Sequence, residues 1–167
     1  MTHGDGSREL GVGVSRSAVR GFSAARLRRY RLARKANIAD LADAAGVSEQ
    51  TVSAWETGRA APTPELLAKV AAELRLTVAD LVPIPNDQLG LSDLRAQAGM
   101  TQGRAAEALG ISATLLGRIE KKGRKEYDET RAAQLAELYK VTPELVAEVW
   151  QRDRDNRQAR ATRFRDS

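Results

Sequence analysis

The chain has no cysteine, one histidine and only 4% aromatic residues in 167. Without thiols there is no disulfide framework and no thiolate metal site, and nothing ties the chain to a redox compartment. The lone His3 lies in a glycine-rich N-terminus and reads as a surface residue, not as a ligand or general base. So few rings argue against readers of RNA or single strands, which stack bases on aromatic platforms. No apolar run approaches about 18 residues and no signal-peptide core is visible, so a soluble, cytoplasmic protein is expected. Gly11-Val12-Gly13 completes no phosphate fingerprint and follows no strand. The acids sit mostly at helix starts or on solvated faces. No catalytic constellation remains, and no enzyme, cofactor, metal or small-molecule ligand is expected.

What is abundant is charge: 29% of residues, a formal net charge of +5 and a pI near 9.9. A basic excess of this size favours a polyanionic partner. The most informative stretch is Leu41 to Gly58, LADAAGVSEQTVSAWETG. Leu41, Ala42, Val47, Val52 and Trp55 recur at helical spacings and can face one core. A tight turn at Ala45-Gly46-Val47 separates two short helices, and Ser48 stands where the second needs its N-cap. Glu49, Gln50, Thr51, Ser53 and Ala54 then fall on the outer face of that second helix. A short helix with a small, hydrogen-bonding outer face suits a DNA major groove.

The same logic organises the rest. Residues 1–21 read as a flexible arm carrying Arg8, Arg16 and Arg20, either reaching into a minor groove or merely solvated. A first helix is predicted from Ser23 to Lys35, with Leu27, Tyr30 and Arg31 facing the core. Asn37 with Asp40 is a capping pair for the second. Pro62-Thr63-Pro64-Glu65 opens a fourth that buries Leu66, Leu67, Val70 and Leu74. Thr77 with Asp80 caps a fifth, ending before Pro83. The segment 83–90, with Pro83 and Pro85, cannot continue a helix and forms a linker.

Beyond the linker the pattern restarts. A shift of sixty-four (91 − 27) places Leu91 on Leu27, Arg95 on Arg31, Gly110 on Gly46 and Ser112 on Ser48. It also places Leu116 on Val52, Ile119 on Trp55 and Glu120 on Glu56. One extra residue near Gly123 makes the shift sixty-five (141 − 76) from Val141 onward. The chain is a tandem duplication, residues 22–82 and 91–150. A charged tail, 151–167, is expected to extend the final helix and then fray.

Both halves resemble the phage-repressor and Cro type of helix-turn-helix, the xenobiotic-response-element family of bacterial transcriptional regulators. The resemblance rests on a Leu-x-x-x-Arg first helix, an Ala-x-x-x-Gly-[Val/Ile]-Ser turn and a hydrophobic residue followed by Glu at the end of the third helix. It implies an all-α fold of two five-helix lambda-repressor-like domains in tandem. It also implies one structural ion pair per repeat, Arg31–Glu56 and Arg95–Glu120, holding the third helix against the first.

In repeat one the family's DNA-facing positions fall on Asn37, Ser48, Glu49, Gln50, Thr51, Ser53, Ala54 and Arg59. A Gln at position 50 suits adenine, and a Glu at 49 can accept from a cytosine amine. The family's usual Gln at the start of helix two is replaced by Ile38. Repeat two keeps that residue as Gln102 after Thr101. Its remaining positions are Ser112, Ala113, Thr114, Gly117 and Arg118, with a basic loop of Lys121, Lys122, Arg124 and Lys125. Arg118 suits the O6 and N7 of guanine. Four phosphates neutralised by the loop would give a log-affinity against log-salt slope of roughly −3.6. Leu115 falls on the outer face in this alignment, either for a thymine methyl or for a protein partner.

The resemblance thus implies a sequence-specific regulator of double-stranded DNA, most often a repressor. As an alternative, one repeat binds DNA while the other mediates homodimerisation or holds a protein partner, as in an antitoxin. An eight-residue linker spans at most ~27 Å, against ~34 Å between half-sites on one DNA face. Read as a tether, it would raise the effective concentration of one domain once the other has bound.

Overall fold

Small polar residues decide where nearly every helix begins. In the computed structural model, which describes residues 18–121 and 125–166, Ser23, Asn37, Ser48, Thr63 and Thr77 cap the first five helices. Each side-chain oxygen accepts a first-turn N–H that the helix cannot satisfy itself. These helices are α1 (Ala24–Ala33), α2 (Ile38–Ala45), α3 (Glu49–Glu56), α4 (Pro64–Glu73) and α5 (Val78–Leu81). After a single 3₁₀ turn, Asn86–Gln88, come α6 (Leu91–Gln97), α7 (Gln102–Leu109), α8 (Ala113–Glu120), α9 (Glu129–Tyr139) and α10 (Pro143–Arg165). No strand occurs among the described residues. The architecture is all-α, two helix-turn-helix domains in tandem.

The duplication extends to individual backbone angles. Gly46 and Gly110 end α2 and α7 in the left-handed region at φ 69° and 65°, a conformation that glycine adopts without steric cost. Arg75 and Lys140, equivalent under the sixty-five shift, both stand at φ 55°. Lys35 adopts φ 54°, which ends α1 at Ala33, two residues before the expected limit.

Each domain closes over its own core. In the first, Leu27, Leu41, Val52, Trp55, Leu67 and Val70 are buried together; in the second, Leu91, Leu116, Leu135, Val146, Val149 and Trp150 are. Burial of each such aliphatic side chain stabilises the fold by about 1.5–3 kcal/mol. Leu66, expected inside, is half-buried at the edge of the first core, and Tyr30 is half-buried with the Arg29 guanidinium over its ring. Leu115 does not point outward. It is half-buried against the second core, because the turn of α8 that presents Leu116 inward also rolls Leu115 toward the domain.

The two domains are docked, which the tether picture did not anticipate. Ala96 of α6 is buried in the first domain's core cluster, and linker residue Ile84 packs against both clusters. Of the expected arm, residues 1–17, including His3, Arg8 and Arg16, lie outside the described residues. Its last residues pack onto the first domain: Val19 is buried and its N–H donates to the Pro62 carbonyl at 3.1 Å. Arg20, its side chain about half exposed, is engaged in an ion pair with Asp93. At the other end, α10 continues without a break through the charged tail to Arg165.

Candidate nucleic-acid interface

The interface is built from the third helix of each domain, and each is held by the same device. Arg31 Nε donates to Glu56 Oε1 at 2.5 Å, Nη2 to Oε2 at 2.9 Å, and Nη1 to the Ala36 carbonyl at 2.8 Å. Arg95 repeats this with Glu120 at 2.6 and 3.3 Å and with the Met100 carbonyl at 2.8 Å. The forked guanidinium fixes the angle between first and third helices in both cases. Glu56 and Glu120 side chains are 6% and 5% exposed, so neither charge is available for outside chemistry. The bonds from Arg31 to Glu56 push the guanidinium further above its ordinary value.

The second lock has two more members. Gln102 Nε2 donates to Glu120 Oε2 at 3.2 Å, and the Tyr139 hydroxyl donates to Oε1 at 3.4 Å. Burial, and then the charge of Glu120, push the Tyr139 phenol well above its usual range. In the first domain the equivalent positions are Ile38 and Leu74, which contribute no such bond to Glu56. Gln102 therefore lies inward across the lock instead of extending freely from the helix start. Gly117 leaves room for it, since a Cβ there would stand 3.2 Å from Gln102 Nε2.

Outside the lock, the α3 surface presents Glu49 and Gln50 exposed, with Ser53 and Ala54 half-buried beside Ile38. These residues line a shallow concavity with Arg59 and Ala60. Ser48 and Thr51 are joined to each other, hydroxyl to hydroxyl at 2.9 Å, while Ser48 also accepts the Thr51 N–H. Asn37 is occupied as the α2 cap, exchanging bonds with Asp40. Arg59 Nε donates to the Thr57 hydroxyl at 3.1 Å, and that hydroxyl donates to the Ser53 carbonyl, which sets Arg59 at the end of α3.

The α8 surface is different in charge. Ala113, Thr114, Gly117, Arg118 and Lys121 line a concavity with Gln102 and the lock residues. Arg118, Lys121 and Lys125 are exposed; Lys122 and Arg124 lie outside the described residues. Ser112 caps α8 through the Leu115 N–H, and Thr101 caps α7 through the Arg104 N–H. A residue that sequence reasoning missed is Trp150 of α10. Its Nε1–H donates to the Lys125 carbonyl at 3.1 Å and its ring meets Tyr127 edge-on, which holds Lys125 and Tyr127 against α10. The only sequence signal was an indole beside the tail, since Trp needs a partner for its N–H when buried.

A capped helix, a glycine turn and a second helix with an exposed, polar outer face, twice over, define a protein of the helix-turn-helix class. Residues 27–81 match a family model described as helix-turn-helix, and residues 91–149 match a second described as a helix-turn-helix domain. The chain belongs to the helix-turn-helix DNA-binding proteins, and its first domain is of the Cro/C1, xenobiotic-response-element type. No curated protein and no solved structure matches it. Among the described residues no helix is long and apolar enough to cross a membrane, and no cluster of metal-ligating side chains occurs.

Proposed function

We propose that this DNA-binding regulator is a sequence-specific repressor that reads double-stranded DNA with α3 and α8 together. The observation that carries the reading is that both helices are held by the same buried Arg–Glu lock. Both also present exposed polar side chains outward, Gln50 on α3 and Thr114 and Arg118 on α8. In the first domain Gln50 is the base-reading side chain, with Glu49, Ser53 and Ala54 beside it and Arg59 on the backbone. In the second, Arg118 reads a guanine, Thr114 and Ala113 flank it, and Lys121 and Lys125 neutralise phosphate.

A second reading is favoured by one feature. The α3 concavity is lined in part by the aliphatic Ile38 and the acidic Glu49, which suit a protein partner or a second copy better than phosphate. The two readings separate in a DNA-shift assay at fixed salt, on a site selected from random duplexes. Under the first, Gln50→Ala and Arg118→Ala each weaken binding by about 1–3 kcal/mol, roughly 5- to 150-fold. If only Arg118→Ala weakens binding, the first domain does not read DNA and the second reading stands.

A further inference from the structure

The junction between the domains is built, not incidental. Arg20, just before α1, reaches across to α6: Nε donates to Asp93 Oδ1 at 3.1 Å and Nη2 to Oδ2 at 2.5 Å. Nη2 also donates to the Gln88 carbonyl at 3.1 Å, and the nearby charge of Asp153 on α10 adds to the attraction. Asp93 is only 4% exposed and also accepts the Gly90 N–H at 2.8 Å, so it is already fixed when Arg20 arrives. From the other side, Arg152 of α10 donates to the Asn86 and Leu89 carbonyls, holding the 3₁₀ turn against the second domain.

The apolar part of the junction is equally specific. Ala96 enters the first core, and a Cβ on Gly99 would come within 2.9 Å of Ala68 Cβ, closer than packed carbons approach. The duplication supplies a comparison. The positions equivalent to Asp93, Ala96 and Gly99 are Arg29, Leu32 and Lys35, all exposed in the first domain. Small and acidic residues thus stand only in the repeat whose first helix meets its neighbour.

We infer that the two domains form one rigid reading unit, in which the Arg20–Asp93 pin sets the spacing between the DNA elements read by α3 and α8. Arg20 is therefore a specificity-determining positioning residue that touches no base. The inference rests on the proposed two-domain reading of DNA for its consequence, but the rigidity can be measured without DNA.

The absence of cysteine permits clean labelling. Single cysteines at the exposed, equivalent positions Asp43 and Glu107 take a spin-label pair for distance measurement in the full chain. A single narrow distance distribution is expected for the otherwise native chain, and a distribution at least twice as wide for Arg20→Ala. A broad distribution without the Arg20 change overturns the rigid unit; an unchanged width in Arg20→Ala overturns the role of the pin. The second arm uses duplexes carrying the two selected elements at graded separations. The native chain is expected to prefer one separation by at least tenfold. Arg20→Ala is expected to flatten that preference while leaving affinity for each single element within twofold. Equal affinity of the native chain at all separations counts against the inference. Failure of the native chain to select any element, with the distance still narrow, counts against the proposed DNA reading and leaves the rigid unit standing.

Discussion

The Arg31–Glu56 lock gives the sharpest energetic test, because its two charges are almost completely out of water and share few other partners. Replacing Glu56 with alanine leaves the Arg31 guanidinium, whose side chain is 9% exposed, with its bond to the Ala36 carbonyl as the one remaining among the described residues. Breaking a buried pair from one side costs about 3–5 kcal/mol. The surviving carbonyl bond places this case near the lower end, at about 3 kcal/mol. A domain of some 60 residues has only about 3–9 kcal/mol in total, so Glu56→Ala brings the first domain close to unfolding. The matching fall in melting temperature is about 12–24 °C, from 4–8 °C per kcal/mol for a domain of this size.

Amide hydrogen exchange read by peptide distinguishes the domains. The α3 segment is expected to lose about 3 kcal/mol of protection, while α8 retains most of its own. The double replacement Arg31→Met, Glu56→Leu removes both charges, and is expected to recover most of the loss since no uncompensated ion remains. A cost below about 1 kcal/mol for Glu56→Ala would place the pair among exposed ion pairs and refute the argument. So would a double variant as unstable as the sum of its two single changes.

Two further outcomes follow from the second lock. Because the folded domain holds Tyr139 protonated, its contribution to stability is complete below about pH 10, where a free tyrosine ionises, and is lost as pH rises through the higher folded value. Thermal midpoints between pH 9 and 12 should therefore fall more steeply for the native chain than for Tyr139→Phe, and parallel curves would rule the effect out. Gly117→Ala gains up to about 1 kcal/mol of helix propensity but crowds Gln102 Nε2 at 3.2 Å. The Gln102 side-chain amide resonance should move and exchange faster with water, and an unmoved resonance contradicts the contact.

Much of the fold was legible because it rests on local chemistry. Ser, Thr and Asn before apolar periodicity mark most of the helix starts, and Ser23, Ser48, Thr63 and Thr142 all serve as caps. The locks were legible through the family resemblance, which implies one Arg–Glu pair per repeat, and both pairs form twenty-five residues apart (56 − 31 and 120 − 95). What escaped was long-range. Arg20 and Asp93 are separated by seventy-three residues, and no spacing rule links them. A proline-rich segment reads as a tether because backbone chemistry shows only that no helix continues there. Whether the flanking domains touch depends on Ala96 and Gly99 being small, which has meaning only once Ala68 stands opposite. Leu115 was misplaced for a related reason. An eight-residue helix has a wide boundary between inside and outside, and burial at its edge is set by the neighbours, not by the period.

The two repeats also differ where the lock meets the reading face. Ile38 and Ser53 in the first are matched by Gln102 and Gly117 in the second, and these changes belong together. A Gln that folds onto Glu120 needs the space a glycine leaves, whereas an Ile that makes no such bond tolerates a serine opposite it. The second domain thus stiffens the base of its reading helix with two extra hydrogen bonds to Glu120, from Gln102 and Tyr139. Among the described residues, the first relies on Arg31 alone to hold Glu56. Loss of the lock glutamate should therefore be felt differently in the two domains. At Glu56 it strands one cation, while at Glu120 it also leaves Gln102 and Tyr139 without their acceptor. The second domain gains rigidity from the larger network, and depends on one residue the more for it.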